Sequence, residues 1–274
     1  MHVLNTLRAC GALFRVKLAE SVQYRLAALS RVAVSLLYGL MICVLYLAYY
    51  RHGDAAAAGG FTLACAISYT WLAQSLYGLM DLSLDGEIDE LLEKGNVAVE
   101  LCRPLDLYWH WYARTAAGKL GNNWGRCLGT LAVSLLLPGI LRLGPPASLL
   151  GLLLALAGLV LGFLLSTAFT LLLCAVRMNI SWGRGPVHMI QCVGQLLAGL
   201  LLPLALWPDG LQPLLRLTPF AGMLDTPLQL YLGTLPPAAA PGALGLSAGW
   251  LVVLVLLGRG VMKRRMKTLI VQGG

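Results

Sequence analysis

The sequence predicts an all-α integral membrane protein of six transmembrane helices, with the N- and C-termini both in the cytoplasm. Three observations predict it. Of the 274 residues, 58% are hydrophobic and only 12% charged, and the mean hydropathy is +0.76. A soluble domain carries roughly 25% charged residues, so this chain lacks the charge to cover a water-facing surface. Six apolar runs approach the roughly 20 residues that a helix needs to cross a bilayer. Finally, the Lys and Arg residues are distributed between the runs in a strongly one-sided way.

The runs lie at about residues 26–50, 61–80, 127–143, 148–176, 187–207 and 244–262. The first, "LAALSRVAVSLLYGLMICVLYLAYY", is too long for a cleaved leader and follows a mixed polar and apolar segment, so it is expected to stay as a helix. With the N-terminus inside, all but three of the 20 Lys and Arg fall on the cytoplasmic side; only Arg51, Arg142 and Arg216 lie outside. This bias also accounts for the net charge of +8. Nucleic-acid binding would need the cations gathered on one soluble face, and here they punctuate apolar runs.

Chemistry-bearing patterns are few. Seven cysteines include no C-x-x-C pair, and the four histidines form no H-E-x-x-H, so no metal site or disulfide is expected. "GLSAG" at 245–249 matches a nucleophile elbow, but it opens a membrane helix and His188 sits at the opposite face. Small residues at helix-packing spacing (Gly245 with Gly249, Gly158 with Gly162) explain such patterns better. No phosphate-binding G-x-x-x-x-G-K-[ST] occurs, so the chain is expected to bind no nucleotide and to catalyse nothing itself. The spans hold no central Asp or Glu, which argues against an ion-coupled carrier. Their polar residues are Ser35, Ser68, Thr70, Gln74, Ser75, Ser166, Thr170, Gln191 and Gln195. They read as helix–helix hydrogen bonding, with Gln74, Gln191 and Gln195 as candidate linings of a substrate path.

Three segments outside the spans have structure of their own. Residues 1–25 space Leu4, Leu7, Phe14 and Leu18 among cations, the pattern of an amphipathic helix on the inner membrane surface. Residues 208–243 are semi-apolar and Pro-rich, which suits short helices dipping into the outer leaflet. Residues 81–126 form a polar island. In "DLSLDGEIDELLEKG", Leu84, Ile88, Leu91 and Leu92 make one apolar stripe, and Asp85, Glu87, Asp89, Glu90 and Glu93 the opposite face. Gly95-Asn96 ends the helix, "VAVEL" alternates like an extended piece, and Pro104 sets a turn at Arg103. A helix rich in interfacial aromatics then leads back to the bilayer. The acidic face reads either as a solvated surface or as a partner contact.

Here the chain resembles a known family. "EKGNVAVELCRPLDLYWHWYARTAAGKLG" is similar to the E/D-x-x-x-G-x-[hydrophobic]-x-x-x-L-x-R-P-[LV] signature of ABC-2 type permeases, in particular a bacterial branch of export permeases. "VQYRLAALSRV" before the first span and "TPFAGMLDTPLQLYLG" before the last extend the resemblance over the whole chain. The order of the three segments carries it, since Arg-Pro-Leu alone is common. The resemblance implies a single transmembrane domain with a type V exporter-like fold, in a bacterial cytoplasmic (inner) membrane. It implies a permease subunit of an ATP-driven ABC exporter, paired with a second permease, identical or different. ATP and Mg would sit on separate ATPase subunits. The helix at about 81–94, together with Arg103 and Pro104, would be the coupling helix seated on the ATPase. Residues 211–232 would be an outer gate, with Pro219, Phe220 and Pro227 in it. The apolar stripe would give affinity for the ATPase and the carboxylates partner choice. A mostly apolar path suits an amphipathic or hydrophobic substrate moving outward. The competing classes are a secondary, ion-coupled transporter and an intramembrane enzyme or scaffold.

Overall fold

The computed structural model describes residues 11, 15–16, 25–52, 61–94, 97, 100, 106–178 and 184–266. Every regular element among them is helical. The α-helices are α1 (Arg25–His52), α2 (Leu63–Leu76), α3 (Gly86–Glu93), α4 (Leu107–Leu136), α5 (Leu149–Arg177), α6 (Arg184–Leu197), α7 (Gln212–Arg216), α8 (Asp225–Leu232) and α9 (Ala240–Met266). The amphipathic helix expected over 1–25 lies almost wholly outside the described residues.

Among the described residues, three stretches are long and apolar enough to cross a bilayer: Leu29–Arg51, Leu149–Arg177 and Pro237–Met266. They correspond to the first, fourth and sixth expected spans. The other three depart from expectation. Within 61–80 only the 14 residues of α2 are helical, about 21 Å of rise, although Met80 N–H still donates to Leu76 O through a following turn. The third element is displaced from 127–143. α4 begins far earlier, where the Asp106 carboxylate caps the amides of Tyr108 and Trp109, and it stops at Leu136. Pro138 forces Leu137 out of helical geometry, to ψ 144°, and so ends it.

The run at 187–207 is broken. α6 ends at Leu197, and Gly199 adopts φ +81°. Leu200 N–H donates to Gln195 O and Gly199 N–H to Leu196 O, the paired bonds of a Schellman stop, which needs a left-handed residue at that position. The alternation of "VAVEL" is also overridden: Val97 and Glu100 are helical.

α5 is the centre of the bundle, packed by α9, α8 and α4, while α1 lies on α2 and α4. The seat for α8 is a stripe of small residues on α5, Gly151, Ala155, Gly158 and Gly162, which share one helical face. A β-carbon at Gly162 would come within 2.1 Å of Met223 O, and one at Gly158 within 3.1 Å of the Pro227 ring. Gly158 and Gly162 therefore do the packing expected of them. Gly245 and Gly249 do not pack so among the described residues, where no other element comes within 4 Å of the position where either β-carbon would be. Ser247, inside that "GLSAG", donates to Ala243 O one turn back on its own helix.

Some of the polar residues of the apolar runs join elements, as expected. Ser35 Oγ accepts from Arg126 Nε, Ser68 Oγ from Gly144 N–H, and Thr170 Oγ1 from Lys119 Nζ. Thr70 and Ser75 instead donate to carbonyls of their own helix. α1 turns Leu29, Val34, Leu37, Met41, Val44 and Leu45 outward, each more than half exposed, which a hydrocarbon surrounding tolerates and water does not.

Candidate functional site

The polar island folds onto one end of the bundle, and α3 is its core. Asp85 caps α3 by accepting from Glu87 N–H at 3.1 Å and Ile88 N–H at 3.3 Å. Its other oxygen accepts from Thr115 Oγ1 of α4 at 3.0 Å, so the cap also ties two helices together. Ile88 is fully buried among Leu107, Trp111, Leu171, Cys174 and Met262, and Leu84 and Leu92 rest half-buried on the same cluster. Burying that one isoleucine contributes about 2 kcal/mol.

Ionic contacts complete the attachment. Arg177, the last residue of α5, meets Asp89 at 3.2 Å and Glu93 at 3.3 Å, bridging successive turns of α3. Arg114 of α4 places Nη2 at 2.6 Å and Nε at 3.1 Å from one oxygen of Glu87. Near the next segment, His110 and Glu100, both nearly buried, approach to 3.3 Å. A recess of about 380 Å³ lies between α3 and α4, with Asp81, Asp85, Glu87 and Glu90 facing Arg114 and Lys119.

This geometry corrects the expected orientation of the stripe. Leu84, Ile88 and Leu92 face the chain's own core, and Leu91 is half-buried, so the stripe does not stand free to fill a partner's groove. The outward surface is polar: Ser83, Gly86, Glu87, Glu90, Glu93 and Lys94. Glu90 and Lys94 pair at 2.5 Å across one turn. The ammonium's hydrogen bond and charge hold the Glu90 carboxyl below its usual range, and Glu90 in turn holds Lys94 above its own. Arg103 and Pro104 lie outside the described residues.

The three glutamines do not meet in one channel within the chain. Gln74 lines a cavity between α1, α2 and α4. Gln191 sits 3.2 Å from His188, and Gln195 donates to Asp81 at 2.9 Å. Of the expected gate residues, Phe220 packs edge-on against Phe169 at 5.2 Å, Pro227 is buried on α5, and Pro219 is half-buried. The segment does carry two short helices, α7 and α8.

Asp225 is a site that sequence reasoning missed. It is 1% exposed, and it accepts from Tyr69 Oη at 3.0 Å, Leu204 N–H at 3.1 Å and Gln229 Nε2 at 2.5 Å. Tyr69 Oη also lies 2.9 Å from Gly199 O. One carboxylate thus joins α2, the stop of α6 and the start of α8. The only signal was a lone Asp inside the semi-apolar "PFAGMLDTPLQLYLG".

The described residues form an all-helical bundle that includes three helices long and apolar enough to cross a membrane, as an ABC-2 membrane protein requires. A family model described as "ABC-2 family transporter protein" matches residues 36–273. The chain belongs to that family. No curated protein matches it. ABC-2 permeases are membrane components of transporters and work with ABC ATPase subunits. In this member of the family, the outward face of α3 is an exposed, charged surface mounted on α4 and α5.

Proposed function

We propose that this chain is the membrane-spanning permease subunit of an ATP-driven exporter, coupled through α3 to a separate ATPase that holds ATP and Mg. It would move an amphipathic or hydrophobic substrate outward across a bacterial inner membrane, paired with a second permease. The observation that carries this reading is the mounting of α3. Arg177 and Arg114 fasten its carboxylates to the ends of α5 and α4, so a displacement applied to α3 is passed to two long helices. The ATPase contact is the polar face, Glu87, Glu90, Glu93 and Lys94, which calls for Lys or Arg on the partner. Residues 211–232 would close the exit, with α8 held on α5.

The test is co-purification with an ATPase and measurement of ATP hydrolysis and substrate movement in vesicles. Glu90→Lys should lower coupled hydrolysis while leaving the permease folded. Transport by the purified chain alone, driven by an ion gradient, would refute the proposal. Asp225 gives that ion-coupled reading its one supporting observation, a buried carboxylate beside α2. On that reading Asp225→Asn abolishes transport without changing ATP hydrolysis by any partner.

A further inference from the structure

The first residues of α4 and the last turns of α9 border a cavity of about 490 Å³. Tyr108 of α4 stands on its wall and is 3% exposed. Its hydroxyl has no hydrogen-bond partner among the described residues. The ring is seated on bare backbone of α9: a β-carbon at Gly258 would come within 2.9 Å of it. Burial pushes the hydroxyl up to about 12, so it keeps its proton and can donate. A buried donor left unpaired is costly, and the cavity beside it is where the missing acceptor would enter. The same wall carries charges of both signs, Arg259 and Lys263 of α9 with Asp106 and Glu100. Arg259 meets Asp106 at 2.9 Å, and Glu100 meets His110 at 3.3 Å. Lys263 stands exposed one turn beyond Arg259.

Leu107, Leu256, Met262 and Met266 make the wall apolar elsewhere. Leu256 is 64% exposed on the last span, so the cavity opens on the side of the bundle, where its surroundings are hydrocarbon. Arg259 and Lys263 lie at the basic end of that span, the level of lipid head groups. A small hydrated anion gains nothing from the apolar wall. A purely anionic head would meet carboxylates as well as cations. A head that carries both a phosphate and an ammonium, on acyl chains, matches the cations, the carboxylates and the apolar wall together. We propose that this cavity binds a zwitterionic phospholipid with a primary ammonium head, of the phosphatidylethanolamine class. Its phosphate would accept from Tyr108 Oη and Lys263 Nζ, and its ammonium would lie toward Asp106 and Glu100. An acyl chain would run along Leu256. The site does not rest on the exporter reading.

The test is native mass spectrometry of the protein, purified in neutral detergent in whatever assembly it is extracted. It would be titrated with phosphatidylethanolamine, phosphatidylcholine, phosphatidylglycerol and inorganic phosphate. Phosphatidylethanolamine should be retained in preference to the other two lipids. Tyr108→Phe keeps the ring on Gly258 and removes only the hydroxyl, and it should weaken that retention by about tenfold. Without lipid its unfolding midpoint should be no lower than that of the parent protein, because the hydroxyl has no partner to lose. Added phosphatidylethanolamine should then raise the parent's midpoint more than the variant's. Lys263→Gln, on an exposed residue, should weaken retention as well, and it decides the matter if Tyr108→Phe does not fold. Equal retention of phosphatidylethanolamine and phosphatidylcholine, a preference for phosphatidylglycerol, or displacement by inorganic phosphate would overturn the proposal. Undiminished retention in the folded variants would do so too, since water alone would then serve the hydroxyl. So would release of the lipid with each ATP hydrolysed, which would make the occupant cargo.

Discussion

The docked helix α3 and the docked helix α8 are eight residues each, yet they are held in opposite ways. α3 has one deeply buried apolar anchor, Ile88, and is otherwise fastened by ions at its rim: Glu87 to Arg114, and Asp89 and Glu93 to Arg177. α8 is buried over most of its length, sunk into a glycine and alanine stripe on α5, with one carboxylate bonded inward. An ionic rim can yield and re-form, and it leaves a charged face for another chain. Close packing against backbone leaves no such freedom. The comparison teaches that two helices of equal length can be docked either with a charged face left exposed or with their surface used up in close packing.

Each prediction attacks that contrast. Arg177→Ala removes the guanidinium shared by Asp89 and Glu93 where both Arg177 and Asp89 are nearly buried, so stability should fall by about 3 kcal/mol. The check is the thermal unfolding midpoint in detergent. A loss no greater than that of a surface substitution would mean that Ile88 alone holds α3. Gly162→Leu drives a side chain into the Met223 carbonyl and should cost about 2–3 kcal/mol or displace α8 altogether. Hydrogen exchange confined to 221–232 distinguishes these two results. Asp225→Ala leaves the buried Gln229 amide and Leu204 N–H without their acceptor, a loss of about 1–3 kcal/mol. Glu90→Lys should leave the melting point unchanged and lower partner-coupled ATP hydrolysis, because Glu90 faces outward and its pair with Lys94 is exposed. Finally, 1 M salt, where the screening length is about 3 Å, should speed exchange in α3 more than in α8. Equal acceleration would erase the distinction.

How much of this was legible follows from the range of each interaction. The existence and end of α3 were readable from a local period (Leu84, Ile88, Leu92), but the helix expected from residue 81 begins only at Gly86, where Asp85 caps it. The start of α4 at Asp106 was equally local, yet its end was misplaced. The apolar run continues to Leu143, and a hydropathy reading gives no weight to Pro138. The break in α6 hid in a run of leucines, where one glycine among many happens to sit at a left-handed stop. The short helices of 211–232 were expected from composition, but Asp225 was passed over because its partners lie far off in the chain.

By itself the sequence determined that the chain is a helical membrane protein, and three of the six runs it marked are long enough to cross a bilayer. Those properties follow from composition and from periods a few residues long. Only the tertiary structure decided that the apolar stripe of α3 turns inward onto Trp111 and Leu171. Only it set Asp225 against Tyr69, 156 residues away, and put Tyr108 and Lys263 on one cavity. A stripe fits a partner's groove or its own core equally well, and a carboxylate or hydroxyl carries no local mark of its neighbours. Which surface is left free is settled by what else packs there first.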